Sequence, residues 1–206
     1  MTTLALRSSS EGVTRNLGRL LGRVLRPGVT VLLRGDLGAG KTVLVRGVGD
    51  ALGAKGVRSP SFTLVNEYRT PGLLLVHADL YRLDAADADA LGLEEYAGLP
   101  DAALLVEWPD RWSFPPQEDV LDVRIEALDE GARRLSLSAA GTSAEKLLQA
   151  FAEAVRAGSA AVSKGSAPVR SALSSERSVP PATSGEAAEP AEPAGVPAPA
   201  GSPAAP

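Results

Sequence analysis

Residues Gly35–Thr42 read Gly-Asp-Leu-Gly-Ala-Gly-Lys-Thr, a complete GxxxxGK[ST] phosphate loop. Nothing else in the chain restricts the fold as tightly. The loop has meaning only between a buried strand and the start of a helix. Both flanks are present. Thr30–Leu33 is a short apolar run of strand-forming residues, and Val43–Leu52 carries a pattern that winds into a helix. Gly35, Gly38 and Gly40 let the backbone curl so that its N–H groups point inward at a phosphate chain. The start of the following helix adds the positive end of its dipole. Lys41 supplies a mobile cation for the outer phosphates, and the Thr42 hydroxyl is a ligand for magnesium.

Composition narrows the function classes. The net charge of −4 gives no basic nucleic-acid footprint, so any RNA would not be gripped by this chain alone. The absence of cysteine excludes a disulfide framework and a thiolate metal site, which fits a reducing compartment. No apolar run approaches the roughly 18 residues of a membrane helix. Met1–Leu6 lacks the charged start and long apolar stretch of a signal peptide. A soluble cytoplasmic protein without a membrane partner is expected.

Taken in order, Thr2–Arg7 reads as a first strand. Ser8–Ser10 and Glu11 read as a helix start, with the helix running to about Leu25 and Val13, Leu17, Leu20, Leu21 and Val24 on one face. The helix after the phosphate loop covers Lys41–Leu52 with Gly53 as its C-cap. Gly47 and Gly49 weaken it and suit close packing against a neighbour. Phe62–Tyr68 and Leu73–Ala78, joined by Thr70-Pro71-Gly72, form a hairpin. Short helices follow at Ala85–Leu91 and Leu93–Tyr96, and Ala102–Val106 is a second continuous apolar strand. Val120–Ala127 and Arg134–Ala139 make another hairpin, and Ser143–Ala157 returns to helical spacing. Beyond it, proline, alanine, serine and glycine dominate and aromatic residues vanish. The expected organisation is an α/β domain over residues 1–157 and a disordered Pro/Ala-rich tail over 158–206.

Phosphate-loop enzymes place an acid at the end of a neighbouring strand, facing the metal and γ-phosphate. Two apolar strands here end in acids, at Asp79 and Glu107, and Glu107 ends the cleaner run. His77 is the only histidine, and its ordinary role is structural. Trp108 either packs or stacks on a ligand or partner. Ser59, Ser61 and Thr63 form a hydroxyl-rich loop of the kind that senses a γ-phosphate.

With these pieces in order, the chain resembles the bacterial threonylcarbamoyladenosine-biosynthesis ATPases, the TsaE (YjeE) family, over roughly Ser9–Leu137. The resemblance rests on five segments in order. They are the phosphate loop Gly35–Thr42, Val57-Arg-Ser-Pro-Ser-Phe-Thr-Leu-Val-Asn-Glu-Tyr68, His77-Ala-Asp-Leu-Tyr-Arg-Leu83, Leu91-Gly-Leu-Glu-Glu-Tyr96 and Val106-Glu-Trp-Pro109. It implies a P-loop NTPase-like three-layer fold with a mixed β-sheet. It also implies an ATPase that uses ATP and Mg2+ and works with the TsaD–TsaB complex, which modifies an adenosine beside the tRNA anticodon, so that tRNA is met indirectly. By the same resemblance Gly35, Asp36, Leu37, Gly38, Ala39, Gly40, Lys41 and Thr42 hold the nucleotide. Thr42 and Glu107 serve the metal, Glu107 and Asp79 are the catalytic acids, and Trp108 lies near the nucleotide. Ser61 stands where the family usually has threonine, and Ala78 where it has a larger residue.

Two other readings use the same loop. One is a stand-alone small P-loop kinase for a nucleoside or other small molecule. It would want a basic lid, whereas Arg111 is isolated and Arg133-Arg134 lies in a hairpin. The other is a nucleotide-dependent interaction module that does not hydrolyse, against which the two strand-end acids argue.

Overall fold

A computed structural model describes residues 2–128 and 131–162. The elements are β1 (Thr2–Ser8), α1 (Glu11–Val24), β2 (Thr30–Arg34), α2 (Lys41–Leu52), β3 (Val65–Arg69), β4 (Leu74–Asp79), α3 (Ala85–Asp89), α4 (Leu93–Ala97), β5 (Ala102–Glu107), β6 (Val120–Ala127), β7 (Arg133–Ala140) and α5 (Thr142–Val162). A short 3-10 turn, Pro109–Arg111, follows β5. The strands form one seven-stranded sheet in the order β1-β7-β6-β2-β5-β4-β3. β6, β2, β5 and β4 are parallel neighbours, while β1, β7 and β3 pair antiparallel with theirs. The mixed sheet and both hairpins agree with the sequence reading.

Successive side chains of a strand point to opposite faces, so each central strand feeds two cores. Val31 and Leu33 of β2, Leu75 of β4 and Ala103 and Leu105 of β5 join α1, α2 and α5 on one face. Leu32, Val76, Ala78, Leu104 and Val106 join Ala88 of α3, Leu93 of α4 and Trp112 on the other. The central strands are therefore apolar throughout, as strands covered on both sides must be. The same alternation places His77, Asp79 and Glu107 on the face of Leu75 and Leu105, which is the face that α2 covers.

The packing of α1 on α2 depends on glycine. The buried side of α1 is Thr14, Leu17, Gly18, Leu21 and Gly22, rather than the purely aliphatic stripe that spacing predicts. A Cβ on Gly18 would lie 2.1 Å from the Leu44 carbonyl oxygen, and one on Gly47 would lie 2.1 Å from that of Arg15. The backbones thus touch directly, and Gly47 has the close-packing role expected of it. Gly49 does the same against Val57, whose Cγ2 would lie 2.5 Å from an added Cβ. Ser10 caps α1 by accepting from the Val13 N–H at 3.3 Å.

Two boundaries differ from expectation by three residues or more. β3 begins at Val65, not Phe62, because Ser61–Thr63 is a turn and Leu64 has a φ of +65°. The Leu64 N–H donates to the Pro60 carbonyl, and the hydroxyls of Ser59 and Ser61 are drawn to Asp79. Phe62 is left 84% exposed. At the other end α5 continues to Val162, past the predicted end at Ala157 and into the first residues of the predicted tail. Gly158 costs a helix only about 1 kcal/mol relative to alanine, and no proline follows until Pro168. The predicted disordered tail from residue 163 onward lies outside the described residues. Among the described residues no helix is long and apolar enough to cross a membrane.

Substituting alanine separates the two uses of glycine. Gly47→Ala should destabilise the protein by about 1–3 kcal/mol through overpacking. Gly12→Ala meets only the Ser10 Oγ at 3.8 Å and should stabilise α1 by about 0.5–1 kcal/mol. Melting temperatures of the two variants, moving in opposite directions, check this.

Candidate active site

The phosphate loop leaves β2 at Arg34 and enters α2 at Lys41. Gly35, Gly38 and Gly40 have φ values of +135°, +79° and +110°, which residues with side chains rarely adopt. Gly35 also passes so close to β6 that an added Cβ would lie 2.1 Å from the Ile125 carbonyl oxygen. Gly40 is the N-cap of α2 and offers no side-chain acceptor. The first N–H groups of this helix therefore keep their capacity for an anionic ligand. Ala39 is buried beneath the loop, and Leu37 stands 71% exposed on it.

Lys41 is held rather than mobile. Its Nζ donates to the carbonyls of Gly35 at 2.7 Å and Asp36 at 2.9 Å. It also sits 4.0 Å from the centre of the Trp108 ring. Only 4% of the residue is exposed. Burial lowers its pKa from the ordinary lysine value, against the opposing pull of Glu107, Asp79 and Asp36.

β4 and β5 end together, with Asp79 opposite Glu107 in the parallel register. Both carboxylates are buried and neither is bare. Glu107 Oε1 accepts from the Thr42 hydroxyl at 2.8 Å and meets His77 Nε2 at 2.9 Å. Asp79 Oδ2 lies 2.8 Å from the hydroxyls of both Ser59 and Ser61, which are 2.6 Å from each other. Two hydroxyl protons thus serve three contacts. Asp79 Oδ1 accepts the Tyr81 N–H at 3.2 Å.

Trp108 follows Glu107 in a left-handed conformation, φ +61°, which costs about 1–2 kcal/mol for a residue with a side chain. Several contacts hold it there. Its N–H donates to Leu33, and its ring meets Tyr81 with centroids 4.8 Å apart. Arg34 pairs with Asp122 and with Asp110 in the turn that Trp108 opens.

The fold therefore gathers Lys41, Thr42, Asp79, Glu107, Trp108, Ser59 and Ser61 at the carboxyl ends of the parallel strands. Thr63 does not join them, because its hydroxyl turns to Asn66 at 2.8 Å. Two residues enter whose part the sequence reading did not give. His77 lies two positions before Asp79, hence on the same face of β4, and that parity was the available signal. Arg133 reaches over from β7, and its Nε donates to the Ala39 carbonyl at 2.9 Å. No local pattern announces a contact across 94 residues of sequence. A glycine loop with a buried lysine, a hydroxyl on a strand-end carboxylate and a second acid alongside is suited to holding a phosphate chain and its metal.

Comparison with known proteins agrees with this geometry. The family model "Threonylcarbamoyl adenosine biosynthesis protein TsaE" matches residues 8–135. A Nostoc sp. protein named tRNA threonylcarbamoyladenosine biosynthesis protein TsaE is 40% identical over 129 residues, covering 61% of this chain and 79% of its own length. The Bacillus subtilis protein of the same name is 33% identical over 150 residues, 72% of this chain and 94% of its own. The crystal structure of Bacillus subtilis YdiB superposes with a TM-score of 0.60 at 31% identity, over 74% of this chain and 95% of that one. With a family match over residues 8–135, which includes β2 to β6, the phosphate loop and both acids, the chain belongs to the TsaE family.

Proposed function

We propose that this chain is the ATP-binding and ATP-hydrolysing subunit of tRNA threonylcarbamoyladenosine biosynthesis, with Mg2+ as its metal and a TsaD–TsaB pair as its protein partners. The observation that carries this reading is the 2.8 Å hydrogen bond from Thr42 to Glu107 at the foot of a glycine-lined loop. A hydroxyl that donates its proton to a carboxylate keeps its lone pairs for a metal. Thr42 would hold magnesium in this way, with Glu107 and Asp79 facing its water shell. When bound, the metal neutralises charge on the β- and γ-phosphate oxygens.

The chain's own residues divide the remaining work. The N–H groups around Gly38–Thr42 bind the phosphate chain. Lys41 has three N–H donors and two carbonyl partners, so one proton remains for a phosphate oxygen. Glu107 orients the attacking water, and Asp79 couples the Ser59–Ser61 loop to the same region. One lysine beside two carboxylates leaves an excess of negative charge, which repels a bare nucleotide and favours one that carries its metal.

Two observations support the partner reading. The chain has a net charge of −4, so its overall charge does not draw it to tRNA. The loops on either side of the acids also expose Leu37 and Phe62, at 71% and 84%, and a docked protein would cover such apolar groups. ATP hydrolysis measured with and without TsaD–TsaB tests the proposal. Stimulation by the partners supports it, and phosphoryl transfer to a small acceptor without them would favour the kinase reading instead.

Lys41→Ala removes a charged donor worth about 1.5–3 kcal/mol. ATP affinity should fall by roughly 10–100-fold, read by titration calorimetry. Glu107→Gln keeps an oxygen for the Thr42 and His77 donors but loses the charge. It should lower single-turnover hydrolysis with TsaD–TsaB by about 10²–10⁴-fold while leaving the ATP dissociation constant nearly unchanged. Equal losses in both quantities would assign Glu107 to ground-state binding.

A further inference from the structure

His77 is an expensive way to fill a core. It is fully buried in β4, and its Nδ1 is the buried side-chain atom without a hydrogen-bond partner among the described residues. An unpaired buried polar atom is destabilising, and an apolar residue of similar size would avoid it. The ring makes one polar contact, Nε2 to Glu107 Oε1 at 2.9 Å. A carboxylate accepts only, so Nε2 carries a proton.

The same Oε1 takes the Thr42 hydroxyl at 2.8 Å. Both side-chain donors thus converge on one oxygen, which leaves Oε2 without a side-chain partner among the described residues. Thr42 approaches from α2 and His77 from β4, so the carboxylate is braced between a helix and the neighbouring strand. With Thr42 alone, the carboxylate could swing about that single contact and present either oxygen.

We propose that His77 is a positioning residue for Glu107: its Nε2–H anchors Oε1 and thereby commits Oε2 to the metal's water shell and the attacking water. The inference rests on the Mg-dependent ATPase reading above. It assigns His77 no proton transfer and no contact with the nucleotide.

The test compares His77→Leu, which removes the donor, with His77→Gln, whose amide nitrogen falls near the place of Nε2 and restores it. Three quantities are read: nucleotide affinity with and without Mg2+, single-turnover hydrolysis with TsaD–TsaB, and the melting temperature. His77→Leu should fold with undiminished stability and bind nucleotide normally without metal. It should require more Mg2+ for tight binding and lose about 10–100-fold in turnover, as loss of an outer-shell partner does elsewhere. His77→Gln should recover most of that loss. Because the chain has one histidine, the 15N spectrum of its imidazole is unambiguous, and it should show the proton on Nε2.

The proposal is overturned if folded His77→Leu keeps wild-type turnover and Mg2+ dependence, or if folded His77→Gln loses as much as the leucine variant. A spectrum with Nε2 unprotonated would also overturn it. Should the leucine variant not fold, the glutamine variant and the imidazole spectrum decide. A wild-type protein that binds nucleotide with no Mg2+ dependence would instead bring down the underlying reading, a result that the wild-type control isolates.

Discussion

The contact between Thr42 and Glu107 joins the first turn of α2 to the end of the central strand β5. Everything in the site is arranged around it. The glycines of the loop bring the chain from β2 to that first turn within six residues, Gly35–Gly40. The parallel register then sets Asp79 beside Glu107, and Trp108 closes over Lys41 from the residue that follows. A strand shorter or longer by one residue would turn its terminal acid to the opposite face, away from α2.

The site spends stability on this geometry. Lys41, Asp79 and Glu107 are each no more than 5% exposed, and removing charges from water is unfavourable unless hydrogen bonds replace the lost solvation. Here they do. Lysine is met by two carbonyls and an aromatic face, Glu107 by a hydroxyl and an imidazole, and Asp79 by two hydroxyls and an N–H. Left-handed backbone at Leu64 and Trp108 and the unpaired Nδ1 of His77 add further local strain at the same end of the sheet. Two of the three left-handed non-glycine residues among those described thus lie beside the site, the third being Asp119 before β6, and strain beside regular, apolar strands fits a working site on a rigid scaffold.

The glycine-lined crossing of α1 and α2 serves the site from behind. Direct backbone contact at Gly18 and Gly47 fixes the position of α2, whose N-terminus carries Lys41 and Thr42. At Gly18 and Gly47 no side chain separates the two helices, so small shifts of α2 are resisted there by hard contacts rather than by deformable ones.

Much of this was legible in the chain itself. The phosphate loop, its flanking strand and helix, the two strand-end acids, both hairpins and the family resemblance follow from local signals: fixed spacings, apolar runs that stop at an acid, and turn residues. Local rules also named Gly47 as a packing glycine, though not its partner Gly18 in α1, nor Gly22, which meets Val48 and Ala51. What depended on residues distant in sequence was decided by tertiary structure. Arg133 on the loop, His77 on Glu107, the turn that exposes Phe62 and the burial of Lys41 under Trp108 all arise where separate elements meet. A sequence states which residues share a strand face or a helix turn. Only the closing of the sheet, with its particular register and crossing distance, determines which donor finds which acceptor.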